Sequence, residues 1–433
     1  MTADWQKEYK RKFISAEEAA RMLKSGGTVV FTMGREAFAI GLAIAARKEE
    51  LKNVTIIAPH PAYDFGWYDE GWQDSFKVKV AMPTATCQEA LDAGRCDLIP
   101  LPIASGLVKE PDLVLTEVSP PDDNGLCSFG QSLWNKKTQI KEGKIKIAEV
   151  NKNLIRTYGD NFIHFSELDY LVEHVSAGQG MAMGSLAGRA KREPPAYLKD
   201  IAGYVSELIR DGDTIQIGVG RTTEPLVLLG MLDEKHDIGY HSEATPPGII
   251  MLVKKGIING LRKTINTGKV TVTALGGGSK EEMMWAASNP LFELVDVDYL
   301  EDVSIIAAND NMVAINNALA IQLDGAISAE SIGRRLLAAA GGQTAFVIGA
   351  LMSKGGRSIT VLPSTSRGLS RIVPLFEPGT VVTIPRNLTD YVITEYGIAH
   401  LRQKTLRERA QELIAIAHPD FRPELKKQAS KLF

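Results

Sequence analysis

One grammar of helix, glycine turn and strand is written twice in this 433-residue chain, and that repetition narrows the fold more than any other feature. In the first copy, Ala16 to Leu23 has the apolar spacing of an amphipathic helix, Gly26-Gly27 turns, and Thr28-Val29-Val30-Phe31 reads as a strand running toward Gly34. In the second, Ile201 to Ile209 has helical spacing, Asp211-Gly212-Asp213 turns, and Thr214-Ile215-Gln216-Ile217 runs into Gly218-Val219-Gly220. Each copy continues with a helical stretch, Phe38 to Arg47 and Pro225 to Leu232, and a further strand, Val54 to Ile57 and Ile238 to His241. A strand that returns through a helix to another strand builds a parallel sheet. The expected fold is therefore α/β: two similar open domains with mainly parallel sheets.

Between the copies, Ala187-Gly188-Arg189-Ala190-Lys191-Arg192-Glu193-Pro194-Pro195 has the small, charged and proline-ended composition of a linker. The expected domains are 1–188 and 196–433. The alternation persists down the second half, with Val270 to Thr273 before Gly276-Gly277-Gly278, Ile305-Ile306 before Asn309, and Ile359 to Leu362 before Pro363. Near the end, Thr405 and Glu408 have capping-box spacing, and Leu406, Ala410, Leu413 and Ile414 share a helical face that stops at His418-Pro419.

Forty-nine basic and fifty-two acidic residues leave a formal charge of −3, which argues against a nucleic-acid partner. The longest apolar stretch, Ala37 to Ala46, falls short of the ~20 residues a spanning helix needs, so no membrane association is expected. The mixed-charge start, Thr2 to Glu8, lacks the apolar centre of a secretory signal. Three cysteines, Cys87, Cys96 and Cys127, suit a reducing compartment, and a cytoplasmic location is expected.

Gly218-Val219-Gly220 stands at a strand end with Pro225 pre-setting a helix start, so free backbone N–H groups are expected to face an anion or oxyanion there. Gly276-Gly277-Gly278 and Gly341-Gly342 offer further close-approach backbones, or ordinary tight turns. Thr223 stands where a dinucleotide fingerprint needs its third glycine, which excludes that reading. The seven histidines form no HExxH pair and the cysteines no CxxC pair, so no metal site is expected. Glu243 directly follows a strand and precedes the rigid Ala244-Thr245-Pro246-Pro247-Gly248 turn, which puts it at the edge where open α/β sheets bind ligands.

Tyr158 to His164, Asn309 to Asn316, Ser353 to Gly356 and Thr394 to Arg402, with Val118 to Asp122 and Arg407 to Ala410, closely resemble the acetyl-CoA hydrolase/transferase family. The 4-hydroxybutyrate CoA-transferases are the nearest branch, and the resemblance runs over nearly the whole chain. It implies a class I CoA-transferase whose glutamate becomes covalently attached to coenzyme A. The family's His-Ser/Thr-Glu stretch matches His241-Ser242-Glu243, which makes Glu243 the implied nucleophile. The family's first glycine loop matches Gly218, Val219, Gly220, Arg221 and Thr222, and its later CoA and oxyanion elements match Asn316, Gly341, Gly342 and Lys354. The resemblance further implies acyl-CoA and small carboxylates as substrates, no permanently bound cofactor, and a homodimer or larger assembly. Arg221-Thr222-Thr223, Ala244 to Pro247 and Ala338-Ala339-Ala340 depart from the family pattern around the acyl site, so the acyl group does not carry over.

A carboxylate is a weak nucleophile, but a thioester carbon is electrophilic and a thiolate leaves readily. Glu243 is expected to form an acyl-glutamyl anhydride and then a glutamyl-CoA thioester, passing CoA to an incoming carboxylate in ping-pong order. Two alternatives stand beside this: an acyl-CoA hydrolase using the same glutamate, and a CoA-binding regulator without turnover. Glu117 and Glu395, beside other family motifs, are expected to support loops, and His241 to be a packed strand residue.

Overall fold

The computed structural model describes residues 5–100, 108–176 and 193–433. By packing, the chain divides into Met1–Gly184 with Met284–Tyr299, and Ser185–Met283 with Leu300–Phe433. The expected linker lies mostly outside the described residues. Both expected domains were contiguous in sequence, whereas Met284–Tyr299 returns to the first unit. Backbone pairing holds that return: the Asp160 N–H donates to Leu294 O at 2.8 Å and the Leu294 N–H to Tyr158 O at 3.0 Å. Gly159 permits it, because a Cβ there would collide with the Leu294 backbone and its φ of +102° suits only glycine.

The first unit is built on seven parallel strands: β1 (Thr28–Phe31), β2 (Val54–Ile57), β3 (Phe76–Val80), β4 (Cys96–Leu98), β5 (Leu113–Val118), β6 (Ile145–Val150) and β7 (Tyr170–Glu173). They lie in the order β4-β3-β2-β1-β5-β6-β7. The second unit repeats the plan with β8 (Thr214–Ile217), β9 (Gly239–Ala244), β10 (Val270–Ala274), β11 (Met312–Asn317), β12 (Arg357–Val361), β13 (Tyr391–Thr394) and β14 (Gly397–His400). Their order is β10-β9-β8-β11-β12-β13-β14, parallel except for the antiparallel β13-β14 pair. Both sheets reverse direction of winding beside their first strand, between β1 and β5 and between β8 and β11. That reversal opens a crevice at the strand C-termini, where doubly wound sheets bind ligands.

Burial explains the composition of these strands. Every residue of β5, β8, β9, β10 and β12 is buried, as expected of parallel strands covered on both faces. The first core gathers Phe31, Trp67 and Phe76 with Ile40 and Ile44 from the helix Phe38–Ala45. A core in the second unit gathers Ile321, Ile327, Ile372, Leu401 and Leu413. Each fully buried side chain of this size contributes about 1.5–3 kcal/mol.

The duplicated strands Thr28–Phe31, Val54–Ile57 and Thr214–Ile217 fall where the sequence places them. The C-terminal capping box is present: Thr405 Oγ1 accepts from the Glu408 N–H, and Glu408 returns to the Thr405 N–H at 2.7 Å. Two elements differ. The helix expected over Pro225 to Leu232 spans only Glu224–Leu228. Ile305 and Ile306 lie in a helix, Val303–Ala307, started by Asp302, whose carboxylate accepts from the Ser304 N–H at 2.7 Å.

Candidate active site

Glu243 is the penultimate residue of β9 and is only 8% exposed. Alternation along the strand puts it on the same face as His241, while Ser242 turns to β8 and bonds both backbone groups of Ile217. The carboxylate is met by the start of the helix Gln343–Met352: the Gly342 N–H donates to Glu243 Oε1 at 3.2 Å. Gly342 caps that helix, and Gly341 reaches it with φ of +55°. An unsatisfied N–H at a helix start carries partial positive charge, so this is the kind of donor that holds an anion.

A second carboxyl shares the position. Glu301, 4% exposed, brings its carboxyl to the same glycine as Glu243. A methyl group added to Gly342 would sit 2.6 Å from Glu301 Oε1 and 3.1 Å from Glu243 Oε1, so both carboxyls converge on this one glycine. Burial raises the Glu243 carboxyl above its ordinary range, and the hydrogen bonds from Glu301 and Gly342 act in the opposite direction. No cation forms an ion pair with Glu243 among the described residues.

His241 sets this geometry without sharing the charge. Burial, aided by the Lys263 ammonium, lowers it to about 3, so the ring is neutral. Its Nε2 lies 2.8 Å from the Leu300 carbonyl and must carry the proton to bond there. That bond ties the residue before Glu301 to the strand that bears Glu243. The turn after Glu243 is braced as well. Thr245 Oγ1 donates to Gly276 O at 3.0 Å and accepts from its N–H at 2.8 Å, and Gly277 lies so close to Pro246-Pro247 that a Cβ would not fit. Gly276-Gly277-Gly278 thus serves close packing behind the strand that bears Glu243.

The remaining expected residues divide by position. Gly218 and Asn316 lie at the β8/β11 crevice, where a Cβ on Gly218 would collide with Asn316 Oδ1. The Asn316 amide is engaged twice by Gln216, at 3.0 and 3.1 Å. The free N–H groups expected over Gly218 to Gly220 are taken at both glycines, since Gly218 donates to Ile315 O at 2.8 Å and Gly220 to Glu224 Oε1 at 2.9 Å. Glu224 belongs to the short helix that follows, and its carboxylate takes the Gly220 N–H at the start of that helix. Val219 and Arg221 are exposed and Thr222 is half-buried.

Lys354 is separated from this group. It precedes β12, its side chain is 88% exposed, and its Nζ lies 4.0 Å from Asp310 Oδ2. The ten-residue helix Gln343–Met352 begins beside Glu243 and ends just before Lys354, which puts about 15 Å of helix between them. Glu395 accepts from the Ser364 N–H at 2.9 Å and so holds a loop, as expected.

Glu301 escaped the sequence reading. Its local signal is only that it precedes a helix-capping aspartate, and its approach to Glu243 is made across 57 residues of intervening chain.

Family models for the acetyl-CoA hydrolase/transferase N-terminal and C-terminal domains match residues 1–177 and 278–429. The chain is 38% identical to the 4-hydroxybutyrate coenzyme A transferase of Clostridium kluyveri over 99% of this chain and 100% of that protein. The structure is similar to RipA from Yersinia pestis, with a TM-score of 0.87 and 30% identity over 99% of both chains. It is also similar to the 4-hydroxybutyrate CoA-transferase of Porphyromonas gingivalis, with a TM-score of 0.76 and 33% identity over 99% of this chain and 100% of that one. The chain belongs to the acetyl-CoA hydrolase/transferase family. Within it, the protein is an enzyme of the CoA-transferase type, as its curated relatives are. Among the described residues, no helix is long and apolar enough to cross a membrane.

Proposed function

We propose that the enzyme moves CoA from a short-chain acyl-CoA to a small carboxylate acceptor, of the 4-hydroxybutyrate and acetate kind, by a ping-pong mechanism through a glutamyl-CoA thioester on Glu243. The similarity to 4-hydroxybutyrate CoA-transferase supports the substrate class. The observation that carries the mechanism is the buried Glu243 carboxyl with the Gly342 N–H on Oε1.

Glu243 Oε2 attacks the thioester carbon, the C–S bond breaks, and the CoA thiolate leaves behind an acyl-glutamyl anhydride. The thiolate then attacks Cδ of Glu243. A C–S bond forms, the acyl group departs as a carboxylate carrying Oε2, and the negative charge of the tetrahedral intermediate falls on Oε1. Gly342 already points its N–H at that atom, and a donor so placed is worth about 3 kcal/mol in the transition state. The incoming carboxylate reverses these steps.

To test this, the enzyme is mixed with acyl-CoA alone, reduced with borohydride, and digested for mass spectrometry. A reduced side chain at Glu243 is the expected product; modification at another residue, with Glu243 intact, sinks the mechanism. Adding acetate should accelerate loss of acyl-CoA over the rate in water.

A further inference from the structure

Two carboxyl groups buried against one glycine cannot both carry full charge without strong repulsion, because little solvent screens them. A proton shared between them removes that repulsion and supplies the hydrogen bond that joins them. Of the two, Glu243 accepts the Gly342 N–H at 3.2 Å, a bond that favours the charged form of Glu243 and leaves the shared proton to Glu301.

Resting on the reading of Glu243 as nucleophile, we propose that Glu301 keeps the single proton of this pair and donates it to Glu243 Oε1, so that the enzyme works as a singly protonated carboxyl dyad. Glu301 is then the second donor, beside Gly342, to the oxygen that becomes negative when CoA thiolate attacks Cδ. The proton stays on Glu301 through both steps: the thiolate leaves as an anion and returns as one, so no net proton transfer is required. The same arrangement leaves Glu243 ionised in a site that no cation pairs with, which a lone buried glutamate would resist.

The surroundings contain little else that titrates. On β9, His241 is neutral and Tyr240 is held protonated by burial, its hydroxyl bonded to Ala244 O at 2.7 Å. Lys263 directs its ammonium to Tyr240 O, Thr271 Oγ1 and Lys269 O. Asp302, next to Glu301, is exposed and turned onto Ser304. The strands β8 and β10 and the helix Gln343–Met352 contribute no ionisable side chain. The pH response of the site therefore belongs to the dyad. Turnover should fall on the acid side as a second proton neutralises Glu243, and on the alkaline side as Glu301 loses its own.

The experiment compares kcat, KM and their pH profiles for wild type, E301Q and E301A in the acyl transfer assay, with infrared spectra of the substrate-free proteins. E301Q keeps a donor that cannot ionise, so it should stay within about tenfold of wild-type kcat at neutral pH, lose the alkaline limb, and leave the acid limb in place or move it slightly to higher pH, because an amide donates more weakly than a carboxyl. E301A should lower kcat about 10²-fold or more with KM for acyl-CoA little changed. In the wild-type minus E301Q infrared difference at neutral pH, a protonated carboxyl band should appear. An unaltered alkaline limb in E301Q, or a difference spectrum without that band, overturns the proposal. The infrared readout uses no substrate and survives poor folding of E301A. It therefore separates a failure of the dyad from a failure of Glu243 as nucleophile, which the borohydride label reports.

Discussion

Each of the two sheets ends in a crevice of the same kind, and the two crevices hold opposite chemistry. At the C-terminal ends of β5 and β6, the first unit buries ions that satisfy one another. Arg35 Nε lies 2.9 Å from Glu117 Oε2, and His174 Nδ1 lies 3.5 Å from Glu117 and 3.2 Å from Glu149. Asn151 donates to Glu117 at 2.8 Å and the Ile40 N–H to Glu149 at 2.9 Å. At the corresponding end of the second sheet stand neutral amides and glycines, with Glu243 given backbone and carboxyl partners but no cation. Compensated charge is a structural solution to burial; a carboxylate left without a counter-ion is held in a state that chemistry can use. Buried acids alone would not distinguish the two units. Their partners do.

That contrast breaks most sharply by removing one acid from each unit. Glu243→Ala should abolish CoA exchange, about 10⁴-fold or more, with the thermal unfolding midpoint nearly unchanged; a variant that still exchanges label between acyl-CoA and free carboxylate would end the distinction. Glu117→Ala should do the reverse. Breaking a buried ion pair leaves the Arg35 guanidinium without its carboxylate and should cost about 3–5 kcal/mol in denaturant unfolding, with turnover per folded molecule retained.

A smaller effect sharpens the comparison at the helix start. Gly342→Ala places a methyl 2.6 Å from Glu301 Oε1, which must displace one of the two carboxyls. Steady-state kinetics should register about a 10²-fold loss in kcat, and wild-type turnover would mean that the N–H to Glu243 is incidental.

The smallest effects lie in pH-dependent stability. His241 is lowered to about 3 and Lys136, buried in the first unit, to about 8, each chiefly by burial. Between the folded value and the ordinary one the unfolded chain binds more protons, so stability rises with pH across the window. For His241 that window runs from about 3 to 6.5, and for Lys136 from about 8 to 10.5. Each slope approaches about 1.4 kcal/mol per pH unit at most. Unfolding curves of His241→Gln should flatten on the acid side and those of Lys136→Met on the alkaline side; identical slopes in variant and wild type would contradict the burial argument.

Much of this was legible in the residues. The strands Thr28–Phe31 and Thr214–Ile217 announce themselves because buried parallel strands require uninterrupted β-formers bounded by turns, and the repeat of that grammar carries the topology. Glu243 was legible as a strand-end residue, and the family resemblance implied its role as nucleophile. At Gly218 and Gly220, spacing shows where N–H groups fall but not that Ile315 O and the Glu224 carboxylate already take them. Lys354 was grouped with the site by motif, yet the helix that starts beside Glu243 carries the chain away before Lys354 is reached.

The sequence by itself determined the duplicated α/β plan, the strand that ends in Glu243 and the glycines beside it, since propensity, periodicity and chirality act locally. Only the tertiary structure decided that Glu301 meets Glu243 over Gly342. Convergence of two acids from distant segments depends on how the chain packs around β9, and no spacing between them encodes it.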